Sequence, residues 1–233
     1  LNLAAENLLL DVLPPAVRDE LLSKAELVSL PAGSKLFERE QAPRYAHVLT
    51  SGIASVVSTM ENGDAVEVSI VGREGLPESL HLLGPANSLT HCVMQVSGAA
   101  LRVSLKAMKE TFEHEAALRA RVLEFVQYQS IVMTQVSACN RLHELEERLS
   151  RWLLMVQDRV GESTLRLTQE FLAEMLGTRR STVTITAGSL QRMGAIDYSR
   201  GQIRVVNRAR LEETACECYR VLRPMSERLY TGF

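Results

Sequence analysis

Arginine, serine and threonine crowd one short stretch, Thr178-Arg179-Arg180-Ser181-Thr182-Val183-Thr184, and that set suits a polyanion. A guanidinium offers a planar fork of donors that matches a phosphate or the O6/N7 edge of guanine, and Ser and Thr hydroxyls reach phosphates or base edges. Just upstream, Thr168 is a good N-cap, with Gln169 and Glu170 in the first turn, where a carboxylate suits the positive helix end. Leu172, Met175 and Leu176 supply an apolar face, and Ala173 is small enough for a close helix crossing. Gly177 stands where the chain must turn sharply. Thr178 is expected to cap a second helix, Arg179 to about Met193, with Val183, Leu190 and Met193 turned inward. Two helices joined this tightly predict a helix-turn-helix whose second helix reads the major groove of double-stranded DNA.

A hairpin follows. Ile203, Val205 and Val206 are β-branched, and Arg200-Gly201 forms the turn. A basic-tipped hairpin directly after a recognition helix, with Ser199 and Arg200 at its end, is placed to touch backbone phosphates. Charge follows the same division. Residues 1–140 hold 11 Lys/Arg against 16 Asp/Glu, whereas residues 141–233 hold 15 arginines against 12 acids. The DNA-contact set is therefore Thr168, Gln169, Thr178, Arg179, Arg180, Ser181, Thr182, Thr184, Ser199 and Arg200.

Other segments must position this one. Residues 3–24 read as one or two short helices interrupted at Pro14-Pro15, with Leu8, Leu9, Val12 and Leu13 as a buried stripe. From Leu27 to Ser104 come short β-type runs at 27–30, 35–37, 45–50, 53–59, 65–71, 89–96 and 100–104. Val66, Val68 and Ile70 alternate with Glu67 and Ser69, which predicts a half-buried strand with the apolar set inward. Asn62-Gly63 marks a hairpin turn, and so many short strands suggest a small sandwich or barrel. A helical stretch then starts near Leu105. In it Leu118, Val122, Phe125, Gln129, Val132, Val136 and Cys139 recur at alternating steps of four and three. That is an a/d seam, expected to pair two copies of the chain, with Gln129 fixing their register. A further helix, Leu142 to about Val160, is ended by Gly161.

The run Leu167-Thr-Gln-Glu-Phe-Leu-Ala-Glu-Met-Leu-Gly-Thr-Arg-Arg-Ser-Thr-Val-Thr184, then Gly194-Ala-Ile-Asp-Tyr-Ser-Arg-Gly-Gln-Ile203, resembles the C-terminal domain of the cyclic-AMP receptor protein/fumarate-nitrate regulator (CRP/FNR) family of bacterial regulators. Ala138-Cys-Asn-Arg-Leu-His-Glu-Leu-Glu-Glu-Arg-Leu-Ser-Arg-Trp152 resembles a subgroup whose effector is generally unassigned. The resemblance implies an α+β chain: an N-terminal β-roll of the cyclic-nucleotide-binding jelly-roll type over 1–110, a dimerisation helix over 111–140, and a winged helix-turn-helix over 141–233. It implies a cytoplasmic homodimeric transcription regulator on an inverted-repeat operator, with RNA polymerase as a further partner if the protein activates. Arg180 matches the family's first recognition arginine, but Ser181 stands at its glutamate position and Ile185 at its second arginine.

The resemblance also implies a phosphate cassette, found here as Gly72-Arg73-Glu74-Gly75-Leu76 and then Ala86-Asn87-Ser88-Leu89-Thr90. The cassette's glutamate position holds Arg73, with Glu74 displaced by one, and its arginine position holds Asn87. A one-residue slip turns a side chain to the other face, and an anion without the arginine lacks its bidentate partner. Cyclic-AMP binding is therefore not expected, and no effector or cofactor is assigned. Gly72, Arg73, Glu74, Gly75, Asn87 and Ser88 mark where an effector would sit, Arg73 serving either another anion or merely a surface turn. Iron–sulfur ligation of the family's N-terminal kind is not expected either, because no cysteine precedes Cys92.

Four cysteines do not make a disulfide framework. Cys139 and His143 are one helical turn apart but only two ligands, and Cys216 and Cys218 on a continuous helix would point about 200° apart. No metal site is expected. Five scattered histidines without a nucleophile elbow, P-loop or paired carboxylates argue against an enzyme. No apolar window reaches the roughly 18 residues of a membrane span. The competing reading is an effector-binding module that acts through protein contacts rather than DNA, which Arg179-Arg180 disfavours.

Overall fold

The computed structural model describes residues 7–84 and 87–231; the expected helix start at Leu3 and the cassette residue Ala86 lie outside the described residues. The chain forms two compact units. One takes the described residues up to Val56, Ser69–Ile131 and those from Arg228; the other takes Val57–Val68 and Val132–Glu227. Neither is one continuous segment, whereas the sequence reading divides the chain at 110 and 140.

Helix α1 (Leu8–Asp11) is capped by Asn7, whose side chain accepts from Leu9 and Leu10 N–H. Asn7 Nδ2 donates to Leu49 O at 2.8 Å, so the cap is also tied to the sheet. Helix α2 (Pro15–Ser23) starts on proline, which has no N–H to leave unpaired. Leu9 and Leu13 are buried as expected, but Val12 is exposed. Strands β1 (Glu26–Leu30), β2 (Lys35–Phe37), β3 (Tyr45–Thr59), β4 (Ala65–Val71) and β5 (Thr90–Ser104), with helix α3 (Ser79–Leu83) between the last two, make one sheet in the order β1-β5-β3-β4, β2 also pairing with β5. β3 and β5 each join two runs that the sequence reading keeps apart. Gly52 and Gly98 are not turns; the two backbones approach so closely there that a Cβ on Gly98 would overlap Ser51.

The alternation in β4 is realised at Ile70, which is buried, but inverted over residues 66–69. Glu67 and Ser69 are buried, and Val66 and Val68 only half-buried. Partners from distant segments explain it: Trp152 Nε1 donates to Glu67 at 2.8 Å, and Ser69 Oγ donates to Gln129. A satisfied polar group can be buried where an unsatisfied one cannot.

Helix α4 (Leu105–His114) and helix α5 (Ala116–Leu142) meet at Glu115, which has extended ψ without proline or glycine to announce it. All seven residues of the expected dimer seam, Leu118, Val122, Phe125, Gln129, Val132, Val136 and Cys139, are buried within this single chain. A second copy therefore has no access to them, and the seam is corrected to a core stripe. Gln129, rather than setting register between helices, hydrogen-bonds Ser69 and Ile70 O. The opposite face of α5 is exposed at Ala116, Ala120, Leu123, Gln127, Ser130, Thr134 and Ser137, a second series at steps of four and three.

Helix α6 (Leu145–Val160) opens with a capping box between Glu144 and Glu147 and is the hub of the second unit. Its Leu149, Trp152, Leu153 and Val156 are 2% exposed or less. After it come strand β6 (Thr164–Arg166), helices α7 (Gln169–Leu176) and α8 (Arg180–Arg192), strands β7 (Ile196–Ser199) and β8 (Gln202–Val205), and helices α9 (Arg208–Thr214) and α10 (Glu217–Glu227). Asp158 on α6 takes Arg208 at 2.7 Å and the Tyr219 hydroxyl at 2.8 Å, clamping α9 and α10 to α6. Burial, with the nearby carboxylate, pushes the Tyr219 phenol up to about 12. The tail is not one helix: Ala215 is extended, so Cys216 and Cys218 do not take the 200° separation of a continuous helix.

In the first unit, the ring of Phe125 lies flush on Gly75, where a Cβ would overlap it. Gly75→Ala is expected to lower stability by about 1–3 kcal/mol through overpacking. Phe125→Leu added to it should recover part of that loss, and chemical denaturation of the single and double variants checks both.

Candidate nucleic-acid interface

Local sequence explains the two helices. Thr168 Oγ1 accepts from Phe171 N–H at 3.1 Å and starts α7. Gly177 ends it with φ 58° and ψ 47°, a left-handed conformation that side chains with a Cβ rarely adopt. Thr178 N–H then returns to Ala173 O at 2.9 Å, which closes the turn. The second helix begins one residue later than the sequence implies, with Arg179 rather than Thr178 at its N-cap. Leu172, Ala173, Met175 and Leu176 on α7 and Val183, Thr186, Ala187 and Leu190 on α8 are buried between the helices and α6. What remains outward on α8 is polar, basic, or the single apolar Ile185 at 70% exposed.

The wing is a three-stranded sheet, β6-β8-β7, antiparallel throughout. Its hairpin turns on Arg200 (φ 50°) and Gly201 (φ 73°), the pair of positive angles a two-residue turn of the right twist needs. Arg204 on β8 meets Asp197 on β7 at 3.1 Å. The Tyr198 hydroxyl donates to Leu167 O at 3.1 Å, and burial, reinforced by Glu170, pushes its phenol up.

Eight of the ten expected contact residues are exposed, and Gln169 and Thr178 are half-buried. Five of them, Thr168, Gln169, Arg180, Ser199 and Arg200, line one cleft with Glu170, Tyr198 and Gly201. Thr178, Arg179 and Thr182 instead border a second cleft with Gly63, Asp64 and Ala65 of the β3–β4 hairpin tip. In the first cleft Arg180 Nε donates to Gln169 Oε1 at 3.3 Å, and its Nη1 lies 2.8 Å from Glu170 Oε1. Thr184 Oγ1 donates to the same Gln169 oxygen at 3.0 Å. Both members of the Arg180–Glu170 pair are more than 60% exposed, so exchanging it for a base or phosphate costs no more than about 1 kcal/mol. Sequence reasoning missed this bracing by Gln169, eleven residues away, and gave Ile185 no contact of its own. An exposed aliphatic residue on a helix that is otherwise polar outside was the available signal.

The residues of the expected effector cassette lie in the other unit. Glu74 is 5% exposed, and its carboxylate accepts from Gly72 N–H at 3.0 Å. Asn87 Nδ2 donates to Glu40 O at 3.1 Å, and Ser88 Oγ pairs with Thr90. The Tyr230 hydroxyl donates to Glu74 O at 2.7 Å, while Phe125 covers Gly75. Arg73 is exposed.

Two family models match the chain. Residues 147–214 match the Crp-like helix-turn-helix domain and residues 27–115 the cyclic nucleotide-binding domain. No curated protein matches it. Among solved structures, FixK2 from Bradyrhizobium japonicum superposes with a TM-score of 0.69 at 13% identity, over 82% of this chain and 98% of that one. A CRP-family transcriptional regulator of Thermus thermophilus gives 0.67 at 20% identity, over 81% and 96%. The c-di-GMP-responsive global regulator CLP of Xanthomonas campestris gives 0.67 at 12% identity, over 83% and 100%. These likenesses are of fold: sheet domain, long helix and winged helix-turn-helix.

Gly177→Ala should destabilise the second unit by about 1–2 kcal/mol, since Ala pays for the left-handed conformation and its Cβ would sit 3.1 Å from Val66. Denaturation followed through the sole tryptophan, Trp152 on α6, checks it.

Proposed function

Because this chain belongs to the CRP/FNR family of transcription regulators, we propose that it binds an inverted-repeat operator as a homodimer and does so without a cyclic nucleotide. The observation that carries the reading is the outward face of α8. Arg180 stands at its first turn, exposed, braced by Gln169 and flanked by Ser181 and Thr184, with Ile185 one turn further on. Arg180 reads a guanine edge, and Ile185 meets a thymine methyl, the apolar feature of the major groove. Ser199 and Arg200 on the wing, with Thr168 and Gln169 at the start of α7, hold the flanking phosphates.

The dimer forms through the exposed face of α5. Ala116, Ala120, Leu123, Gln127, Ser130, Thr134 and Ser137 lie on that face, and none of them is charged. Leu123 is 46% and Ile131 39% exposed. Small and apolar residues at a 3.5-residue period let two helices approach closely, which supports a second copy of the same helix as the occupant. The two recognition helices then fall into successive major grooves about 34 Å apart.

Cyclic-nucleotide independence is supported by what the cassette residues already do. Glu74 is committed to Gly72 N–H, Asn87 is turned to Glu40 O, and Phe125 and Tyr230 cover the turn at 74–75. The protein then works in the cytoplasm beside its DNA, with protein level or another signal setting occupancy, and with RNA polymerase as partner where it activates. Its chemistry is binding rather than catalysis.

Titration of a selected inverted-repeat duplex at fixed salt is expected to show tight binding unchanged by cyclic AMP or cyclic GMP. Binding that requires either nucleotide contradicts the cassette argument. Arg180→Ala is expected to cost about 1–3 kcal/mol on that duplex and to relax preference at one base pair per half-site; equal loss on random DNA would make Arg180 a phosphate contact. Leu123→Glu should shift sedimentation from dimer to monomer while leaving the circular-dichroism spectrum of the chain intact.

A further inference from the structure

Three cysteines and a histidine that DNA binding leaves unused meet in the unit of Val57–Val68 and Val132–Glu227. Cys139 lies in the last turn of α5, and His143 follows its end, its N–H donating to Cys139 O at 3.1 Å. Cys216 occupies the break between α9 and α10, and Cys218 lies in the first turn of α10. One donor atom from each lies within 4.8 Å of all the others. Cys139 Sγ and Cys216 Sγ stand 3.5 Å apart, and Cys218 Sγ is 3.6 Å from His143 Nδ1. A tetrahedral ion with metal–sulfur bonds of about 2.3 Å and metal–nitrogen bonds of about 2.0–2.1 Å sets its ligand atoms about 3.4–3.8 Å apart. Both separations fall in that window.

The surroundings are those of a ligand shell rather than of an ordinary apolar core. The cysteines are 3% exposed or less. His143 turns Nδ1 toward the sulfurs while its Nε2 lies 3.0 Å from Glu217 Oε2. A carboxylate on the far ring nitrogen fixes the tautomer and orientation of a metal-bound histidine. Gln135 Nε2 donates to Cys218 Sγ at 3.1 Å, a contact that suits a coordinated thiolate.

We propose that Cys139, His143, Cys216 and Cys218 hold one tetrahedral metal ion, Zn²⁺ by preference, in a closed structural site that staples the α9–α10 junction to the end of α5. Three thiolates and one imidazole complete the coordination of zinc and leave no open position for catalysis. On binding, each coordinated thiol releases its proton to solvent, and no electron is transferred. An iron–sulfur cluster fits less well, because its ligands surround several metal atoms and stand further apart. The site is independent of the DNA-binding reading and fails or holds without it.

The full chain, isolated anaerobically under reducing conditions and exchanged into Zn²⁺, is expected to retain one zinc per chain by plasma mass spectrometry. Co²⁺ in its place should give the visible bands of a tetrahedral ion and thiolate-to-metal charge transfer in the near ultraviolet. Cys216→Ser and Cys218→Ser should lose both signals, whereas Cys92→Ser, buried in β5, should keep them. The cobalt spectrum of the unaltered chain decides the matter even if a variant fails to fold. No stoichiometric ion, an octahedral cobalt spectrum, or a Cys139–Cys216 disulfide in the anaerobic protein would overturn the site.

Discussion

The buried stripe of α5 is the constraint on which the rest of this structure depends. Leu118, Val122 and Phe125 complete the core of one unit, and Val132, Val136 and Cys139 that of the other. Helices draw most of their stability from burying such a face. With that face consumed inside the chain, the side of α5 left exposed carries the small, uncharged series from Ala116 to Ser137. The same commitment reaches the cassette, because Phe125 rests on Gly75, and the ligand cluster, because Cys139 ends the stripe.

Where signals are local, the sequence was a sufficient guide. The cap at Thr168, the left-handed Gly177, the apolar positions of α7 and α8 and the Arg200-Gly201 turn each act within a few residues, and the structure realises each of them. The one slip there, Arg179 in place of Thr178 at the cap, is a boundary shift of one residue. Arg180's exposure also follows from its position in the first turn. Its bracing by Gln169 does not, since that depends on how α7 and α8 cross.

Sequence reasoning fails wherever a partner comes from far along the chain. A heptad series says that a helix packs, not against what, and the α5 seam, expected as a dimer interface, is buried within its own chain. Alternation in β4 suggests valines inside, yet Trp152 and Gln129 supply the hydrogen bonds that let Glu67 and Ser69 take that side. Cys139 and His143 look like half a site, and Cys216 and Cys218 look divergent. Only the break at Ala215, which no proline or glycine marks, brings the two halves together.

The proposed function rests on these features together: a sheet domain whose cassette residues are engaged by its own side chains, a helix with one face buried and the other exposed and uncharged, and a helix-turn-helix that exposes Arg180 and Ile185. The most direct test of the whole is selection of bound duplexes from a random-sequence pool by the unmodified chain, with no nucleotide added. The expected result is enrichment of an inverted repeat whose half-site centres lie about 10–10.5 base pairs apart, each containing a guanine for Arg180. Isolated half-sites, direct repeats or no enrichment would contradict it.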